Sequence, residues 1–197
     1  MLKKAALRAA LDRAPLSLVV AELSHIALYK WRGSLLSEDG VKDGPGRYHV
    51  AGGAPAVYFA DNPVTALYEV GRIFGARYST VAPPGILLSV RIQLAGGVLD
   101  LRDTKVQSLL GTSRQELTGH WIPGTVAPTQ LLGETAYELG HVVALQAPSA
   151  ADPNGFGENV VVFKDRLPAV GGKIEIYDPE NWLASSHSSG AKSRTRR

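Results

Sequence analysis

The 197 residues, 45% hydrophobic and 20% charged, carry enough apolar surface for one sizeable core and too little length for two ordinary domains. The absence of cysteine excludes disulfides, thiolate metal sites and a cysteine nucleophile together, and fits a reducing cytoplasm. The formal charge of +3 is placed unevenly: the closing AKSRTRR holds four basic groups and no acid, so the remainder is near neutral.

In chain order, MLKKAALRAALDRAPLSLVVAELSH reads as an amphipathic helix, because Arg8, Asp12 and Arg13 interrupt the apolar run that a secretory signal needs. No stretch approaches the roughly 20 apolar residues that span a bilayer. HIALYKWRG alternates as a strand ending near Arg32, and SEDGVKDGPGRYHVAGGAP forms a long polar loop of the kind that usually serves function. PAVYFA makes a short strand and DNPVTALYEVGRIFG a helix, with Asp61 or Asn62 as its cap, Pro63 at the first helical position and Gly75 at its stop.

GILLSVRIQL and GGVLDL supply one or two further strands; DTKVQSLLG and TSRQELTG are short helices, and VAPTQLLGETAYELG is a longer one. VVALQAPS, NVVVFK and KIEIYD are three more strands. Strands clustered toward the C-terminal end favour an α+β fold over a regular βαβ array. The chain divides into a domain over residues 1–185 and a disordered basic tail over 186–197, since a run such as Ser-Ser-His-Ser-Ser-Gly cannot bury apolar surface.

Several chemistries are set aside. Gly171-Gly172-Lys173 is followed by Ile174 and lacks the glycine spacing of a phosphate loop. The five histidines, at 25, 49, 120, 141 and 187, include no pair at helical ligand spacing, so no metal is expected. No G-x-S-x-G turn is present to expose a nucleophilic serine.

The informative stretch runs from Trp31 to Val70. Strand alternation puts Ala56, Tyr58 and Ala60 on one face, which leaves the Tyr58 ring between small neighbours: a gap for a flat ligand, or an ordinary packing position. On the helix, Ala66, Val70 and Ile73 line the core-facing stripe and Glu69 falls on its edge, facing a site or paired with Arg72 at the surface. Arg32 and Arg47 flank mobile-looking backbone, where guanidinium forks suit a diphosphate, although each alone reads equally as a surface arginine.

Taken in order, WRG, GR followed by an aromatic and a glycine-rich turn, PAVYFADNPVTALYE, and the later APSA and GENVVVF resemble the RES family, named for its Arg, Glu and Ser. The resemblance spans about residues 29 to 164. It places the motif residues at Arg32, Arg47, Tyr58, Glu69 and Ser149, with Asn159 matching a frequent family asparagine; Tyr48-His49 departs from the Trp-Asn that members often carry there. The implied fold is a single α+β domain like that of ADP-ribosyltransferases, with central, mostly antiparallel sheets and flanking helices.

The implied substrate is NAD+, consumed without a metal. Glu69, Arg32 and Tyr58 would be catalytic: Glu69 beside the nicotinamide ribose, Tyr58 stacked on the nicotinamide, and Arg32 with Arg47 on the diphosphate. Ser149 and Asn159 would bond the nicotinamide-ribose end. Water as acceptor makes the reaction a glycohydrolase, phosphate a phosphorylase, and a protein side chain a mono-ADP-ribosyltransferase. The resemblance further implies a cytoplasmic toxin silenced by a small helix-turn-helix, Xre-type antitoxin, in a family where dimers are common and nucleic acid is met only through the antitoxin. The competing reading is a non-catalytic interaction module whose basic tail binds nucleic acid.

Overall fold

A computed structural model of the chain describes residues 1–28, 34–38, 44–73, 84–120 and 125–181; the side chains of Arg72 and Ile73 fall outside that description. In order, the elements are α1 (Lys4–Leu11), β1 (Leu16–Leu28), β2 (Ala56–Ala60), α2 (Pro63–Ile73), β3 (Gly85–Asp100), α3 (Thr104–Leu109), α4 (Arg114–Thr118), α5 (Pro128–Leu139), β4 (Ala144–Pro148), β5 (Glu158–Phe163), a 3-10 segment (Lys164–Val170) and β6 (Lys173–Ile176).

The N-terminal expectation is corrected. A helix was expected to run toward His25, yet α1 stops at Leu11 and Leu16–Leu28 is a strand. Pro15 disfavours helix in the residue before it and offers no amide of its own. Beyond it, antiparallel pairing with β3 runs from Leu16↔Leu99 to Leu28↔Gly85, broken by one register shift between Ser17 and Val19. The two apolar runs between 85 and 100 form one strand. Residues 90–93 pair with β6 and 98–100 with β4, and between them Gly97 adopts φ 72, a left-handed conformation that suits glycine as the strand changes neighbour. The other expected helices and strands are all present, and Arg32, Gly75 and the tail lie outside the described residues.

The sheet runs β1-β2-β5-β4-β3-β6, and an added β1–β3 pairing brings the ladder back on itself in a barrel-like ring. Among the described pairings only β3–β4 is parallel, so the α+β, mostly antiparallel expectation holds. Side-chain alternation divides the core in two. Val57, Phe59, Val90, Ile92, Leu94, Val160 and Val162 form one buried cluster. The opposite faces of β2, β4 and β5, with Ala56, Leu145, Ala147, Val161 and Phe163, pack under helices through Leu7, Leu11, Val106, Leu117, Leu132 and Ala136. Tyr58 is on this second, helix-covered face, as are Asn159 and the extension of β4 to Ser149.

Candidate functional site

Glu69 is set in place from the start of α2. The Asn62 side chain accepts the Thr65 amide at 2.9 Å, capping the helix one residue before Pro63. One turn on from the buried Thr65 comes Glu69, half-buried. Its Oε1 accepts two hydrogen bonds, from the Ser149 hydroxyl at 2.6 Å and from Asn159 Nδ2 at 2.6 Å. The sheet explains the convergence: Asn159 pairs with Ala60 on one side and Ala147 on the other, and Ser149 follows Ala147 by two residues. Among the described residues Glu69 forms no ion pair, and the donors that orient its carboxylate there are neutral.

Ser149 is itself fixed by its surroundings. Its hydroxyl oxygen accepts the amides of Ala151 at 3.1 Å and Asp152 at 3.2 Å, and its own amide donates to the Gly157 carbonyl at 2.7 Å. Asp152 then gathers the amides of Asn154, Phe156 and Gly157 on its carboxylate. A Cβ on Gly157 would stand 2.7 Å from Thr65 Oγ1, so glycine is what lets this loop lie against α2.

Tyr58 presents a half-buried side chain whose hydroxyl is occupied. It accepts the Tyr48 amide at 3.0 Å and lies 2.8 Å from His49 Nδ1. His49 Nε2 is 3.2 Å from the Gly44 carbonyl, which can only accept, so the proton is on Nε2 and the Nδ1 lone pair receives the Tyr58 proton. Burial pushes the His49 pKa down, against the opposing pull of the Gly44 carbonyl and Glu134, and this favours the neutral ring. Burial likewise pushes the phenols of Tyr48 and Tyr58 up, holding both protonated.

Arg47 belongs to the same region. Its Nη1 donates to the carbonyls of Leu117 and Gly119, both at 3.0 Å, at the C-terminal end of α4. The charges of Arg47 and Glu69 act in opposite senses on both buried phenols, which places the arginine, the two tyrosines and the glutamate within one electrostatic neighbourhood. Arg47 also borders a cleft of about 740 Å³ together with Thr112, His120, Thr125, Val126 and Thr129. Tyr58, Glu69, Ser149 and Asn159 do not line that cleft, so Arg47 is the residue common to the two.

Of the six residues expected from sequence, Glu69, Ser149 and Asn159 meet directly, Tyr58 and Arg47 stand near them, and Arg32 lies outside the described residues. The alternative pairing of Glu69 with Arg72 cannot be followed because that arginine's side chain also lies outside them. Sequence reasoning missed His49, Gln130 and Glu134, which bind the loop around Arg47. The available signal was Gln130 and Glu134 at i and i+4, on either side of Gly133 and on one face of the helix. Among the described residues no group of three His, Asp or Glu could hold a metal ion, and no helix is long and apolar enough to cross a membrane.

In fold, the chain is similar to a chain from the crystal structure of the M. tuberculosis MbcT–MbcA toxin–antitoxin complex, with a TM-score of 0.62 and 17% identity over 93% of this chain and 97% of that one. No curated protein matches the sequence. The family model of the RES domain matches residues 22–184, a span that takes in Arg47, Tyr58, Glu69, Ser149 and Asn159, and the chain belongs to the RES domain family.

Proposed function

We propose that this protein is the toxin of a toxin–antitoxin pair and that it depletes NAD+ by cleaving the bond between nicotinamide and ribose. The observation that carries the reading is the Glu69 carboxylate, oriented by Ser149 and Asn159 through one oxygen while Oε2 has no hydrogen-bond partner among the described residues. Cleavage of an N-glycosidic bond develops positive charge on the ribose ring, and a fixed carboxylate beside the sugar stabilises that charge.

The remaining residues take supporting roles in this proposal. The Tyr58 ring, anchored by its hydroxyl, offers a face to the cationic nicotinamide. Arg47, joined by Arg32, takes the diphosphate, and a held diphosphate fixes the ribose over Glu69. No metal is required. The similarity in fold to a chain of a toxin–antitoxin complex supports control by an antitoxin, for which a small helix-turn-helix, Xre-type protein covering the cleft is the expected partner. The protein would act in the cytoplasm, where NAD+ is abundant, and could do so as a homodimer.

Purified full-length protein should release nicotinamide from NAD+. Running the same reaction with and without inorganic phosphate distinguishes a phosphorylase, which yields ADP-ribose 1″-phosphate, from a glycohydrolase, which yields ADP-ribose. Labelled ADP-ribose appearing on protein would instead establish a mono-ADP-ribosyltransferase. Removal of residues 186–197 should leave nicotinamide release intact, whereas a nucleic-acid-binding module would lose its main function with that tail.

A further inference from the structure

The loop that carries Arg47 is held from two sides. From the sheet, the Tyr58 hydroxyl accepts the Tyr48 amide, and His49 receives the Tyr58 proton while donating to the Gly44 carbonyl. From α5, three residues on one helical face meet the loop: Gln130, Gly133 and Glu134, at i, i+3 and i+4. Gln130, 2% exposed, uses both ends of its amide. Oε1 accepts the Ala127 amide at 2.9 Å and so caps its own helix, while Nε2 donates to the carbonyls of Gly46 at 3.0 Å and His49 at 3.3 Å.

Glu134 accepts the amides of Val50 at 3.0 Å and Ala54 at 3.1 Å on Oε1. Gly133 permits the contact, because a Cβ there would fall 1.9 Å from the Tyr48 carbonyl oxygen. Backbone groups on both sides of Arg47, at Gly46, Tyr48 and His49, are therefore tied down. The two carbonyls that seat the guanidinium, Leu117 and Gly119, belong to a different element. The arginine thus bridges a fixed loop and the end of α4.

We infer that Gln130, Glu134 and His49 are positioning residues that hold the Gly44–Ala54 loop so that Arg47 takes the diphosphate of a dinucleotide, and that the Tyr58 hydroxyl serves this loop. This rests on the proposed binding of NAD+ at the site. A loop pre-set in its binding geometry spends less of the interaction with ligand on ordering itself, so loosening the clamp weakens diphosphate binding through Arg47. None of the three needs to touch the substrate.

The test is titration of full-length protein with ADP-ribose by calorimetry, with thermal melting to confirm folding. Gln130→Glu keeps the shape and the acceptor for Ala127 but cannot donate to Gly46 and His49, and should weaken ADP-ribose binding about tenfold. Glu134→Gln is the milder variant and should weaken it about threefold. Placed in an Arg47→Ala background, either change should add nothing, because the residue it positions is gone.

Unaltered affinity in both folded single variants, full additivity with Arg47→Ala, or no binding of ADP-ribose by the wild type would each overturn the inference. The readout does not depend on turnover. The expected binding pattern in a protein that releases no nicotinamide would overturn the proposed reaction and leave the positioning role standing; nicotinamide release without that binding pattern would overturn the positioning role alone.

Discussion

Ser149 donates its hydroxyl to Oε1 of Glu69 at 2.6 Å, joining the end of β4 to the middle of α2 across 80 residues of sequence. The Ser149 hydroxyl oxygen also accepts the amides of Ala151 and Asp152, so one side chain both orients the carboxylate and closes the turn that follows it. Ser149→Ala removes all three contacts. It should lower nicotinamide release about tenfold and destabilise the fold by about 1–2 kcal/mol, since two backbone amides lose their acceptor. Assays of release beside urea denaturation check both effects; wild-type turnover in the variant would show that the carboxylate needs no tether.

Asn159 is the second donor to Glu69 Oε1, and Asn159→Asp replaces it with a group of the same shape and the wrong charge. Two carboxylates would then share one site, and like charges at hydrogen-bonding distance raise the pKa of one of them. The acid limb of the pH–rate profile should move to higher pH, with activity near neutrality reduced about tenfold or more. An unshifted profile in a folded variant would separate Asn159 from the charge on Glu69.

Gly133 supports the close approach of α5 to the Tyr48 backbone. Gly133→Ala would raise intrinsic helix propensity, an effect worth about 1 kcal/mol in an unobstructed helix. Here the added methyl meets a carbonyl oxygen at 1.9 Å, which is backbone and cannot swing aside. Steric displacement wins: the variant should be less stable by about 3 kcal/mol and should bind ADP-ribose more weakly. A melting temperature at or above that of the wild type would refute the packing described for this loop.

The architecture was legible from sequence wherever local signals and long-range pairing agree. Asn62, Pro63 and the apolar stripe beginning at Ala66 define α2, and the small-Tyr-small alternation of β2 places Tyr58 on the helix-covered face. At the N-terminus they compete. Residues 16–25 carry both an apolar stripe and β-branched side chains, and pairing with β3, 65 residues later at Ser24↔Ser89, decides for strand. The grouping of Glu69 with Ser149 and Asn159 depends on sheet register, which spacing along the chain does not reveal. The clamp around Arg47 was hidden for a related reason: Gln130 and Glu134 act on backbone carbonyls and amides, which leave no signature in the residues they bind.

Two histidines, His49 buried and His25 half-buried, give the fold a pH dependence. Burial lowers the pKa of His25 and of His49 from the ordinary 6.5, against the raising effect of the backbone carbonyls each contacts. In both, the unfolded chain takes up protons that the folded chain refuses. Stability is therefore complete above 6.5 and is lost as the pH falls from 6.5 toward the lower folded values, at up to about 1.4 kcal/mol per pH unit for each histidine. Urea midpoints measured between pH 7.5 and about 5 should fall with acidity, and more gently in His49→Gln. Flat midpoints across that window would contradict the burial of these rings.

The most direct test is nicotinamide release from NAD+ by purified wild-type protein and by Glu69→Gln, compared with melting curves for both. Glutamine preserves the size of the side chain and an oxygen that Ser149 and Asn159 can still bond, and removes only the charge. The wild type should release nicotinamide, and the folded variant should lose that activity by a factor of about 100 or more. Full release by a folded Glu69→Gln protein, or none by the wild type, would contradict the account.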